Sequence, residues 1–140
     1  MRWRNRFRKP RPAYQWPRFR SKYLCPCCGL PTLSSRSNYC ICPICFWEDD
    51  GQDDADADEV RGGPNHEYSL TEARANFTAH LTMYRPSDTR PFERDIAHND
   101  HKAVVIAQLR RAVQSRRLSD WQVALRAKAV YEKRIYAESL

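Results

Sequence analysis

The chain has 140 residues, 24 basic against 17 acidic, with a formal net charge of +7 and a mean hydropathy of −0.80. That length holds one modest domain, or a small metal module joined to a helical unit. No apolar run approaches the ~20 residues of a membrane span, and no hydrophobic signal region follows the basic start, so the expectation is a soluble cytoplasmic protein without a membrane role.

Charge is unevenly placed along the chain. Residues 1–22 carry nine Lys or Arg and no acid, interleaved with Trp3, Phe7, Tyr14, Trp16 and Phe19. Pro10, Pro12 and Pro17 keep the later half from forming a regular helix. Such a segment has too little apolar surface for a core of its own. Cations alternating with rings suit phosphate contact together with stacking on unpaired bases. Arg2, Trp3, Arg4, Arg6, Phe7, Arg8 and Lys9 are therefore the candidate nucleic-acid contacts. The alternative is an arm whose rings pack on the rest of the protein.

Six cysteines then fall within 21 residues. Four form two Cys-x-x-Cys pairs, Cys25 with Cys28 and Cys42 with Cys45, separated by thirteen residues. Two residues between cysteines let one tight turn aim both sulfurs at a common point, and two such turns make a tetrahedral site. Pro26 and Pro43 preset φ in each turn, and Gly29 beyond the first pair can take positive φ. The second turn ends in Phe46 and Trp47 instead. The expected ion is a structural Zn2+ on Cys25, Cys28, Cys42 and Cys45, with disulfides and an iron–sulfur centre as the competing uses of the thiols. Cys27 and Cys40 are left over, and either can replace a nominated ligand. Leu30–Leu33 and Asn38–Ile41 read as two strands joined by a turn at Ser34–Ser37, which makes a zinc-ribbon-like hairpin.

Eight acids occupy residues 48–59. They do not match the spacing of a calcium-binding loop. They read as a solvated loop, or as a surface for a basic partner, with Asp49, Asp50, Asp53 and Asp54 as candidate protein contacts.

The remainder is helical. Ser69-Leu70-Thr71-Glu72 is a capping box, followed by Leu70, Ala73, Phe77, Leu81 and Tyr84 at helical spacing until Pro86. A second helix is expected over His101–Ser115, with Val105, Leu109, Ala112 and Val113 inward. A third starts at Ser119, with Gln122 completing another capping box, and includes Trp121, Leu125, Tyr131 and Ile135. Residues 102–140 hold nine basic side chains against three acidic ones, which read as the solvated face of two helices or as a second surface for nucleic acid. His98 and His101, at i and i+3, offer two imidazoles on one helical face. No glycine-rich phosphate loop, nucleophile elbow or His-Glu-x-x-His motif is present.

The run Cys25-Pro26-Cys27-Cys28-Gly29, then Cys42-Pro43-Ile44-Cys45-Phe46-Trp47-Glu48-Asp49-Asp50-Gly51-Gln52, then Gly62-Gly63-Pro64-Asn65 and Ser69–Phe77, resembles the bacterial cysteine-rich CPCC family over roughly residues 23–84. The resemblance implies a small metal-binding domain and no particular activity. The expectation is thus a small α+β protein. A basic aromatic arm (1–22) precedes a zinc-ribbon-like β-hairpin module with an acidic loop and helix (23–84), and a helical extension follows (85–140), about three α-helices in all. The expected function is non-enzymatic, with nucleic acid as partner and no small-molecule substrate. The alternatives are a protein-binding or immunity-type module acting through the acidic loop and, further off, a metal-dependent hydrolase.

Overall fold

The structure, a computed structural model, describes residues 12, 15–90 and 96–137. It divides into two compact units, Met1–Arg85 and Pro86–Leu140. The small α+β architecture expected from sequence is present: a three-stranded antiparallel sheet followed by three α-helices among the described residues.

The sheet runs β1 (Arg18–Phe19), β2 (Lys22–Leu24) and β3 (Pro31–Leu33), in that spatial order. Arg18 faces Tyr23 across β1 and β2, and its guanidinium lies 4.6 Å from the centre of that ring. Phe19 is buried. The arm defined by charge alone is therefore too long, because its last residues are part of the folded sheet. Trp16 covers the guanidinium of Arg36 at 4.7 Å. The nominated contacts from Arg2 to Lys9 lie outside the described residues.

The strand pairing also differs from the expected hairpin. β3 does not pair with residues 38–41. It pairs with β2, with Tyr23 opposite Leu33 and Leu24 opposite Pro31. Pro31 is tolerated because β3 is an edge strand. Residues 39–42 instead fold back on 47–49. Tyr39 N–H donates to Asp49 O at 2.9 Å, Asp49 N–H to Cys40 O at 3.0 Å, and Cys42 N–H to Trp47 O at 3.0 Å. Each Cys-x-x-Cys turn thus forms the tip of its own short hairpin. The Ser34–Ser37 segment is no longer than either cysteine turn, so loop length does not decide the outcome; the observed pairing puts both Cys-x-x-Cys turns at hairpin tips, where their four sulfurs converge.

Helix α1 (Leu70–His80) begins with Ser69, whose hydroxyl accepts from Glu72 N–H at 3.0 Å. Glu72 does not complete the capping box. Its carboxylate instead takes two hydrogen bonds from Arg85, at 2.7 and 2.6 Å. The helix stops earlier than the periodicity suggested. Leu81 adopts φ 64 and its N–H returns to Phe77 O, leaving Tyr84 beyond the helix with its ring edge-on to Tyr68 at 5.7 Å.

In the second unit α2 (Asn99–Ser115) and α3 (Leu118–Ala137) form a helical hairpin. Arg116, at φ 58, closes α2 through its N–H to Ala112 O. Val105, Ile106, Leu109 and Ala112 are buried on α2, and Trp121, Ala124 and Tyr131 on α3. Val113 is only half-buried and Leu125 is exposed. The inward arc passes through Ile106 and Ala124 instead. No helix among the described residues is long and apolar enough to cross a membrane.

Candidate metal centre

Cys25 leaves β2 and Leu30 enters β3, so the first cysteine turn closes that hairpin, with Cys25 N–H donating to Leu30 O at 2.8 Å. Gly29 N–H donates to Cys25 O at 2.8 Å with Gly29 at φ 76. The second turn repeats this geometry with a bulky residue. Phe46 N–H donates to Cys42 O at 2.9 Å with Phe46 at φ 70. A left-handed residue is the common requirement after the second cysteine. Glycine meets it without strain, and phenylalanine meets it at a backbone cost of ~1–2 kcal/mol.

The two turns face one another. The Sγ atoms of Cys25 and Cys45 are 3.6 Å apart, those of Cys28 and Cys42 3.7 Å apart, and all four lie within 4.8 Å of one another. A regular tetrahedron of sulfurs around an ion with bonds of ~2.3 Å has edges of about 3.8 Å, so the donor set fits a single tetrahedral ion. Cys25, Cys42 and Cys45 are buried and Cys28 is half-buried. No disulfide joins any of the six cysteines. Among the described residues this is the one convergent group of three or more metal-donor side chains, and neither His98 nor His101 is part of it. The His101 ring instead meets Tyr131 edge-on at 5.7 Å.

Burial pushes the thiols of Cys25, Cys28 and Cys45 well above their ordinary range. Burial opposes ionisation of Cys42 as well, but there hydrogen bonds from the Cys25, Cys28 and Cys45 thiols, and then from the Cys45 backbone N–H, prevail and bring it down. Cys27 is buried; its contact with Cys45 is the largest single influence and favours the thiolate, but burial together with the charges of Cys25 and Cys42 outweighs it and raises the pKa. Cys40 lies outside the cluster, where the Ser35 hydroxyl at 3.2 Å lowers its pKa.

Polar clamps hold the second turn in place, and none was evident from spacing. Asp49 is fully buried. It accepts from Arg36 Nε at 2.8 Å, from Ser37 N–H at 2.6 Å and from Gly51 N–H at 3.2 Å. Asp49 therefore cannot serve as a partner contact, because the interior needs its charge to neutralise Arg36. Asp50 is nearly buried and caps Gln52 N–H at 3.0 Å, and Asp54 pairs with Arg74 at 2.9 Å. Asp53 accepts within the following 3-10 turn. Much of the acidic loop is thus internal wiring.

Asn65 acts as a surrogate strand. Its side chain accepts from Glu48 N–H at 3.0 Å and donates to Glu48 O at 2.7 Å. Arg74 on α1 reaches Pro26 O at 2.8 Å, and Met83 N–H reaches Cys45 O at 3.0 Å, so helix and turns are tied together. Thr32 reaches the cluster itself, with its Oγ1 3.1 Å from Cys42 Sγ. The signal for Thr32 was faint: a lone hydroxyl in the otherwise apolar run Leu30–Leu33.

The family model described as cysteine-rich CPCC matches residues 23–91. No curated protein and no solved structure matches the chain.

Proposed function

Residues 23–91 belong to the cysteine-rich CPCC family, and from that premise we propose a non-enzymatic module in which one structural Zn2+ braces the two cysteine turns while basic surfaces contact nucleic acid. The observation that carries the metal part is the closed set of four sulfurs, within 4.8 Å of one another and largely shielded from water. A catalytic ion keeps a coordination position open for water or substrate. Four thiolates leave none, so the ion's work is to hold the fold. Six free thiols suit a reducing compartment such as the cytoplasm.

Support for nucleic acid comes from the distribution of charge. Arg110, Arg111, Arg116 and Arg117 are exposed around the turn between α2 and α3, and the N-terminal arm adds further cations. The acidic loop is the poorer candidate surface, because Asp49, Asp50 and Asp54 are engaged internally.

The test has two arms. Elemental analysis of the reduced, purified protein should find one zinc per chain, and a metal-free protein of unchanged shape would overturn the structural-zinc reading. Binding to single-stranded RNA or DNA should weaken with salt, with a log–log slope of ~0.7 per phosphate neutralised, and should fall on deleting residues 1–9. Salt-independent or absent binding would remove the nucleic-acid part and leave the zinc part standing.

A further inference from the structure

We infer that Thr32 is a positioning residue of the metal centre, whose hydroxyl donates to the Cys42 thiolate and keeps that ligand bound and unreactive. Thr32 lies on the strand leaving the first cysteine turn, yet its Oγ1 is 3.1 Å from Cys42 Sγ in the second. It therefore links the two halves of the site through a hydrogen bond rather than through the ion.

The direction of that bond follows from the neighbouring groups. The other acceptor near the hydroxyl is Leu30 O, at 3.5 Å. That carbonyl already accepts Cys25 N–H at 2.8 Å and Thr32 N–H at 2.9 Å, which occupy its two lone pairs. Thr32 is 7% exposed, so water does not compete for the proton. The hydroxyl is left with sulfur as its acceptor, and a metal-bound thiolate accepts far better than a neutral thiol. Donation draws electron density from the sulfur, so Cys42 becomes a weaker nucleophile and a poorer target for protons.

The inference rests on the zinc reading proposed above, and its test separates the two. Full-length wild type, Thr32→Val and Thr32→Ser are loaded with Co2+ for absorption and with Zn2+ for transfer to a chromophoric chelator. Valine keeps the branched shape and removes the hydroxyl. Serine keeps the hydroxyl and removes the methyl group. In Thr32→Val the sulfur-to-cobalt charge-transfer band should move to lower energy, and zinc transfer should speed up about tenfold, at the low end of what second-layer changes do. Thr32→Ser should restore both. A valine variant that melts earlier but keeps the wild-type band and transfer rate has lost only packing, and the inference is overturned. Wild type that takes up no Co2+ in a tetrahedral thiolate site overturns the zinc reading itself.

Discussion

In the unit up to Arg85 the buried polar side chains are Thr32, Arg36, Asp49, Gln52 and Asn65, whereas among the described residues after it Lys102 is the one such group. The strands of the first unit are two or three residues long, and its loops are fastened by side chains reaching ten to seventeen residues along the chain. The second unit is two long helices with an apolar seam of Val105, Ile106, Leu109, Ala112, Trp121, Ala124 and Tyr131. The first kind of interior works only if each donor meets its acceptor, because an unpaired buried polar group is costly. The second tolerates substitution as long as volume and phase are kept. The four-cysteine group lies in the first kind, whose interior depends on specific partners as well as on packing.

The largest break in this comparison is removal of the ion. Structural zinc contributes ~10–16 kcal/mol in small thiolate modules. Chelation should abolish amide-exchange protection across residues 15–85 and leave it in α2 and α3. Equal loss in both regions would show that the helical pair depends on the metal too. The same experiment run against pH gives a sign. Cys25, Cys28 and Cys45 have raised pKa values without metal, so the ion must displace their protons. Zinc affinity should therefore fall as pH falls below the raised range, by about tenfold per pH unit for each proton displaced.

Next comes the buried ion pair. Asp49→Ala leaves the guanidinium of Arg36 buried without its counter-charge, at a cost of ~3–5 kcal/mol. It should be read as loss of the first thermal or denaturant transition with the helical one unchanged. Leu109→Ala is the mirror experiment. It opens a cavity in the helical seam worth ~2–5 kcal/mol, and the purified protein should keep its full zinc content.

Smaller still is Gly29→Ala. No atom lies within 4 Å of the added Cβ, and φ is +76, so the cost is the left-handed backbone alone, ~1 kcal/mol. A loss several times larger would mean that the first turn is packed more tightly than it looks. The weakest effect concerns Glu72, whose pKa is lowered chiefly by the hydrogen bonds from Arg85. A carboxylate with a lowered folded pKa stabilises above its unfolded pKa, and that stability is lost as pH falls through the folded value. Glu72→Gln should therefore lower stability slightly at neutral pH, where the wild-type carboxylate is ionised, and flatten the acid limb below the ordinary value of 4.5, where the wild type loses that contribution as well.

Different parts of the fold were legible to different degrees. The helices were readable because their periodicity and caps are local: Ser69 caps α1, and α2 begins two residues from its expected start. The end of α2 at Ser115 was legible too, but that of α1 was not, since Leu81 stops the helix in a left-handed conformation without the glycine that usually announces it. The cysteine spacing pointed to the group that converges in space. The pairing of residues 38–41 was misread because an alternating strand pattern does not name its partner. The acids at 48–59 looked like a surface because composition cannot tell a solvated carboxylate from Asp49, which is buried against Arg36.

The order of residues alone thus determined which thiols can share a tight turn, where the helices run and how charge is segregated, since each depends on neighbours a few positions apart. Only the tertiary structure decided that each cysteine turn closes its own hairpin, that Arg36 and Asp49 meet inside, that Asn65 completes a strand at Glu48, and that Thr32 reaches Cys42. The last three contacts join residues ten or more positions apart, and each forms because a buried donor or acceptor must find a partner once water has left.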